Sequence, residues 1–599
     1  MRGLTRRWVW SSDDSSGTGE SLLDRLLRIR GVSSAAEIDR FLNPSWSHLH
    51  DLGAMHDLTA AAEHLVEAVR AGRRIAIYGD YDVDGVSASA LLWRVLRLAR
   101  PEQPPRIFIP HRIDDGYGLN TERLLELRRE GIDLVVTVDC GITAIEPVRA
   151  ARDAGLEVII TDHHDLSLDD AGRPVLPDAN LVVHPRHPAA SYPFGELCGA
   201  GVAFKLAWQF ARTWCGSDRV ADVFRKELVD ATALVALATI ADIVPLLDEN
   251  RVLAFVGLRR LGQAPSPGVR ALVEHADQFG KGPLDGEKVG FRLAPVLNAC
   301  GRLGHAGEAV RLFTTADASE AEGIVRELAK QNDARRRIEQ RIFEQACSLA
   351  EARGMTRPDR PAIVLAHPDW HPGVVGIVCS RLVDRFGRPT VLMGVENGLA
   401  RGSARSVEGY SILEGLQASR RLMKSFGGHA AAAGLSLKEA SVEVLAQELA
   451  GHVAARLAPE DLVQAIRIDG NASIGEIDRD AVREIERLQP FGRGNPAPKL
   501  RLASVRVAAA PRVFGTRGEH LELRVADDST RPPRFLRAVW WRAVAHREAL
   551  RQGTVIDLVV EPQVDGFRGR DEVIGRVHDA RVVEPLNARS PATAAAAAV

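Results

Sequence analysis

Paired cysteines, long apolar runs and a dominant charge are all missing from this sequence. Its six cysteines, at 140, 198, 215, 300, 347 and 379, are scattered through 599 residues with no CxxC pair and no cysteine–histidine zinc spacing. That excludes a disulfide framework and fits reduced thiols in a cytoplasmic protein. The best membrane candidate, ATALVALATIADIVPLL at 231–247, is broken by Asp242 and Pro245 and is too short to cross a bilayer. Near the N-terminus WVW cannot serve as a signal-peptide core. The formal net charge of −2 advertises no polyanionic partner for the molecule as a whole, although charge can still be concentrated locally. The expectation is a soluble, intracellular chain without a membrane partner, too long for one hydrophobic core.

What is present is ordered along the chain. From 74 to about 185, the apolar runs RIAIYG, RIFIP, LVVTV, EVIIT and LVVH alternate with helical stretches such as VSASALLWRVLRLA. Strand–helix alternation at this spacing predicts βαβ units and a parallel sheet covered on both faces. The fold class is α/β and multidomain. An N-terminal segment (1–45) precedes a first α/β domain over 46–315, and a long linker helix over 316–355 follows. A smaller α/β domain is expected at 356–460, a small β-barrel at 461–585 and a low-complexity tail, read as disordered, at 586–599.

In parallel sheets ligands bind beyond the carboxyl ends of the strands. Asp80, Asp82 and Asp84 follow the first run, Asp139 follows LVVTV, and Asp162, His163 and His164 follow EVIIT. Asp242 adds a carboxylate in an otherwise apolar helical stretch, where it needs a cationic partner. One acidic turn is ordinary, but several at successive strand ends are not. Carboxylate and imidazole ligands without thiolates suit Mn²⁺ or Mg²⁺. Their number suggests two divalent cations, the usual arrangement for phosphoester hydrolysis.

In order, DYDVDG, TVDCGIT, TDHH and ATIADIVPL resemble the motifs of the DHH phosphoesterase family. PHRIDDGYGL, NACGRLGHA, DWHPGVVGIVCSRL, RGSARS, SFGGHAAAAG and LQPFGRGNPAP narrow the resemblance to its single-strand-specific 5′→3′ DNA exonucleases. It implies a DHH catalytic domain, a DHHA1 domain that grips substrate and a C-terminal OB fold. It implies metal-site positions at Asp80, Asp82, Asp84, Asp139, His163 and Asp242, with His164 and Asp139 at the reacting phosphate. Position 78 is Tyr, where many members carry His. The resemblance also implies that Ser403, Arg405, Gly428 and His429 bind a 5′ phosphate, with Arg112 and Arg302 on the DNA. Single-stranded DNA would be the substrate and the active form a monomer serving DNA repair and recombination. A single-strand-binding protein and a helicase would be its partners.

Residues 490–570 hold 15 Lys and Arg against 8 Asp and Glu, a local +7 that suits a strand-binding barrel. Phe514, Trp540, Trp541 and Phe567 are its candidate stacking aromatics, although neighbouring Trp540 and Trp541 cannot both face outward. The rival reading is a DHH enzyme acting on short oligonucleotides or cyclic dinucleotides, which generally lacks such a domain. A pyrophosphatase or a non-catalytic strand binder fits less well.

Overall fold

The structure, a computed structural model, describes residues 1–11, 20–111, 118–278, 284–303, 306–565 and 572–584. The tail expected at 586–599 lies outside the described residues. The chain forms two compact units. One comprises 43–337 and 489–496, the other 1–42, 338–488 and 497–599. The helix Ala318–Ala352 contains the point where the chain passes from one unit to the other.

The first unit is built on five parallel strands: β1 (Ile75–Gly79), β2 (Arg106–Phe108), β3 (Leu134–Val138), β4 (Glu157–Thr161) and β5 (Leu181–Val183). Their order is β2-β1-β3-β4-β5. Every residue of β1 and β3 is buried, which is why these strands read as unbroken apolar runs. The order of connection reverses between β1 and β3, the crevice where sheets of this kind take their ligands. Helix α1 (Val83–Ala99) leaves the end of β1, while α2 (Gly199–Cys215) and α3 (Asp222–Ala241) pack against it. Asp242 differs from its expected place in a buried helix. It caps the C-terminus of α3, with a quarter of its side chain exposed.

Residues 489–496 also differ from expectation. The sequence places them with the barrel, yet they pack into the first unit, where Leu246 N–H donates to Arg493 O at 2.7 Å. Nothing local in LQPFGRGNP signals this, because the partner loop lies about 250 residues earlier in the sequence.

In the second unit, strands Met423–Gly428, Ala432–Lys438, Leu399–Arg405, Thr390–Glu396 and Ile363–His367 form one sheet in that order, with only the last pair parallel. Strands Leu500–Val507, Val555–Asp565, Glu572–Glu584, Arg534–Trp540 and His520–Asp527 pair in series. A bond between the first and last closes them into a five-stranded barrel. Trp540 is buried and Trp541 is exposed. Phe567 lies outside the described residues. The N-terminal segment, silent in the sequence, is structural here. Arg7–Trp10 pairs with Ala465–Ile468, and Thr5, Arg6 and Trp8 all donate to the buried Asp579 carboxylate. No helix among the described residues is long and apolar enough to cross a membrane.

Candidate metal centre

The loops after β1, β3 and β4 converge as the parallel sheet requires. Asp82 caps α1, its Oδ1 accepting from the backbone N–H groups of Asp84 and Gly85 at 2.8 and 3.1 Å. Asp84 is buried in the first turn of that helix and points at the N-terminus of α2. Gly199 N–H donates to its Oδ2 and Ala200 N–H to its Oδ1, both at 2.7 Å. A helix N-terminus offers free N–H groups and partial positive charge, so it can hold a buried carboxylate. Gly199 has to lack a side chain, because a Cβ there would lie 2.5 Å from the Asp139 Cβ.

Asp139 adopts a left-handed φ of 61°, which aspartate tolerates better than most residues. Its Oδ1 lies 3.1 Å from His163 Nε2, which is itself 3.7 Å from both Asp84 Oδ2 and Asp242 Oδ2. Asp139 Oδ1 and His163 Nε2 are buried and reach no hydrogen-bond partner among the described residues. Three overlapping groups of candidate ligands result: Asp80, Asp82 and Asp139; Asp84, His163 and Asp242; and Asp139, His163 and His164. Within each group the ligand atoms lie within 4.8 Å of one another. Asp139 and His163 each belong to two groups, so the three groups share one focus.

The electrostatics agree with a cation site. Burial, then the Asp82 charge, push the Asp84 carboxyl up to about 7. Burial and the neighbouring aspartates push Asp139 and Asp242 well above the usual carboxylate range. Among the described residues no lysine or arginine forms an ion pair with Asp84, Asp139 or Asp242. Burial, aided by the His164 charge, holds the His163 imidazole down to about 3, in the neutral form a metal ligand needs. Buried acids with neutral imidazole at their focus fit divalent cations.

His164 is different. Burial would lower its pKa, but its Nδ1 donates to Asp162 Oδ1 at 2.8 Å, and the carboxylates around it raise it to about 9. Asp162 resists burial and stays below the ordinary carboxylate range through His164, His163 and the Ile142 N–H. It therefore orients imidazolium rather than joining the ligand groups. His184 Nε2 bonds the His164 carbonyl at 2.9 Å, and an Arg186 guanidinium N–H bonds the His163 carbonyl at 2.7 Å. Tyr78 turns away, its hydroxyl donating to Gly118 O at 3.2 Å.

The other expected residues are placed as follows. Arg302 lies on the short helix Cys300–Leu303, which packs on the first aspartate loop. Val83 N–H donates to Asn298 Oδ1 at 3.1 Å, and a Cβ on Gly301 would meet Tyr81 O at 2.5 Å. Arg112 lies outside the described residues. In the second unit Ser403 and Arg405 alternate along Leu399–Arg405. Gly376, in the helix Pro372–Phe386, lies against both: a Cβ there would be 3.1 Å from Ser403 Oγ and 3.3 Å from an Arg405 guanidinium nitrogen. Gly434 lies opposite Ser403 and Gly427 opposite Gly434 on the next strand, which leaves open floor on that side. Gly428 closes its strand at φ 142°, and His429 follows it, exposed. Gly199, Ala200 and Asn298 were not legible as site residues, because two of them act through backbone N–H groups that no residue type encodes.

A parallel sheet carrying this acid and histidine cluster at its switch point defines a DHH phosphoesterase. Residues 74–239 match the model of the DHH family N-terminal domain, 359–455 the DHHA1 domain and 468–579 the RecJ OB domain. The chain belongs to the RecJ family. It is 35% identical to the single-stranded-DNA-specific exonuclease RecJ of Bacillus subtilis, over 94% of this chain and 68% of that one. It is also 35% identical to the Escherichia coli protein of that name, over 83% and 85%. The crystal structure of Thermus thermophilus RecJ in complex with Mn²⁺ superposes with a TM-score of 0.76 at 30% identity, covering 94% of this chain and 76% of that one.

Proposed function

We propose that this chain is a metal-dependent exonuclease that degrades single-stranded DNA from the 5′ end, releasing mononucleotides. The observation that carries the proposal is the convergence of buried acids on His163, with no lysine or arginine among the described residues forming an ion pair with Asp84, Asp139 or Asp242. Asp80, Asp82, Asp84, Asp139, His163 and Asp242 would hold two cations, Mn²⁺ or Mg²⁺, which when bound supply Lewis acidity and a nucleophilic hydroxide at neutral pH. His164, kept protonated by Asp162, would donate its other ring N–H to a phosphate oxygen and hold a proton for the leaving group. The N-terminus of α2 keeps Asp84 in place as charge changes around it. Replacing Gly199 with valine should push Asp139 aside and lower turnover roughly 10–100-fold, since small misplacements at a reacting centre are costly. Turnover within twofold of wild type would contradict that role.

Ser403, Arg405, Gly428 and His429 would bind the terminal 5′ phosphate, with Arg112 and Arg302 on the strand. Arginine's forked donors match a phosphate. The basic barrel, with Trp541 exposed beside Phe514 (ring centroids 5.6 Å apart), would stack bases without reading sequence. Repair and recombination in the cytoplasm follow as the setting. An enzyme that consumes unpaired strands depends on a helicase to expose them and meets single-strand-binding protein on them.

Digestion of 5′- and 3′-labelled single and double strands with Mn²⁺, Mg²⁺ or chelator tests the reading. Mononucleotides should appear from the 5′ end of single strands only, and chelator should stop their release. Arg405→Ala should raise KM on 5′-phosphorylated ends about tenfold and leave Mn²⁺ binding intact, the magnitude of one lost charge-assisted hydrogen bond. Equal losses on phosphorylated and unphosphorylated ends would refute the assignment.

A further inference from the structure

The motif at 489–496 is not used by this mechanism, yet it packs beside the metal cluster. Gly492 and Asn495 form a tight turn, exchanging N–H···O bonds of 2.9 and 3.2 Å, and the buried Asn495 amide donates to Pro490 O at 2.9 Å. The turn is seated closely on the loop that follows α3. A Cβ on Gly492 would lie 2.7 Å from Leu246 Cδ1. Gly494, at φ +77°, would bring one within 3.2 Å of Leu247 and Pro245. On its other side a Cβ on Gly286 would meet Phe491 O at 2.4 Å. The backbone of Arg493 is therefore fixed.

Its side chain lies at the surface. Arg493 is exposed, and among the described residues its guanidinium forms no ion pair, although its charge acts on the Asp242 carboxyl and opposes the effect of burial there. Its hydrogen bond is a long one, 3.4 Å, to Ile243 O. That carbonyl belongs to the residue after Asp242. Ile243 holds a left-handed φ of 59° and is 64% exposed, a strained state for a β-branched residue and one that collects at functional sites. A buttress would be buried and bonded through several donors. An exposed arginine on a rigid turn next to a candidate metal ligand is instead placed to meet an anion.

We propose that Arg493 is a phosphate-binding residue, gripping the backbone of the DNA strand beside Asp242. This rests on the nuclease reading above and adds a contact from a segment outside the DHH domain match. Its fork suits a phosphodiester, and the fixed turn limits the freedom lost on binding.

The test uses the full-length protein with Mn²⁺, a 5′-phosphorylated single-stranded substrate, and a phosphorothioate analogue for binding at several salt concentrations. Arg493→Ala should raise KM about tenfold while kcat falls less than twofold. The slope of log affinity against log salt should become shallower by about 0.7, the loss of one phosphate contact on a single strand. Arg493→Lys should recover the slope, and the Mn²⁺-induced thermal shift should be the same in all three proteins. An unchanged KM and slope would overturn the proposal. A joint fall of kcat and Mn²⁺ shift would also overturn it, making Arg493 a prop for Asp242. A wild-type protein that cleaves no single strand fails the parent reading, and that failure is seen without any variant.

Discussion

Asp139→Asn is expected to abolish nucleotide release, lowering kcat at least about 1000-fold, the scale of losing several kcal/mol of charge stabilisation at the phosphate. Asparagine is the informative replacement. It keeps the shape of the side chain and tolerates the φ of 61° that alanine would adopt only with strain. What it removes is the charge shared by two of the three ligand groups. The same substitution should raise the unfolding temperature of the metal-free protein. Burial and four neighbouring carboxylates make the ionised form of Asp139 unfavourable there, and the amide relieves that repulsion. Activity and metal-free stability should thus move in opposite directions. Scanning calorimetry beside the nuclease assay measures both. Residual activity above about 1% of wild type would remove Asp139 from the centre, since a carboxylate that holds the cations would be worth more than about two decades.

Much of this site was legible because buried parallel strands read as unbroken apolar runs and their carboxyl ends are where polar ligands gather. Asp80, Asp139 and His163 could be placed together from that rule alone. The strands of the barrel were legible too, since alternation such as HLELRVAD marks a strand with one buried face. Three things were hidden. The cradle for Asp84 is made of two backbone N–H groups, so CGAG carries no chemical signature. Apolar neighbours make Asp242 resemble a buried helix residue, while the helix in fact ends on it and turns it towards His163. The seat of Gly492–Asn495 depends on a loop far away in sequence, and glycines that allow close approach look the same as glycines that only turn the chain.

The second large effect concerns stability. In the metal-free protein the unfolding temperature is expected to fall as pH rises from 6.5 to 9, and Mn²⁺ should reverse the trend. Asp84, Asp139, Asp242 and His164 agree in sign over that window. A raised carboxyl stabilises the folded state below its unfolded value of 3.8, and that contribution is lost as pH climbs through its folded value, about 7 for Asp84, while burial and the neighbouring aspartates also hold Asp139 and Asp242 well above the usual carboxylate range. His164 acts likewise as a base. Its contribution is complete below 6.5 and is lost as pH rises through about 9. His163, held down to about 3, opposes them only at the low end of the window, where its unfolded imidazole still loses its proton, and Asp162 is ionised in both states. Cations that take the place of these protons bind the folded state alone and gain affinity as the protons leave. At a thousand times the dissociation constant they add about 4 kcal/mol. Thermal unfolding with chelator and with saturating Mn²⁺, at pH 6.5 and pH 8.5, should show a larger metal-induced shift at the higher pH. Equal shifts at both would mean that the acids are already ionised without metal, and that the crowding of carboxylates around His163 is balanced by something other than a cation.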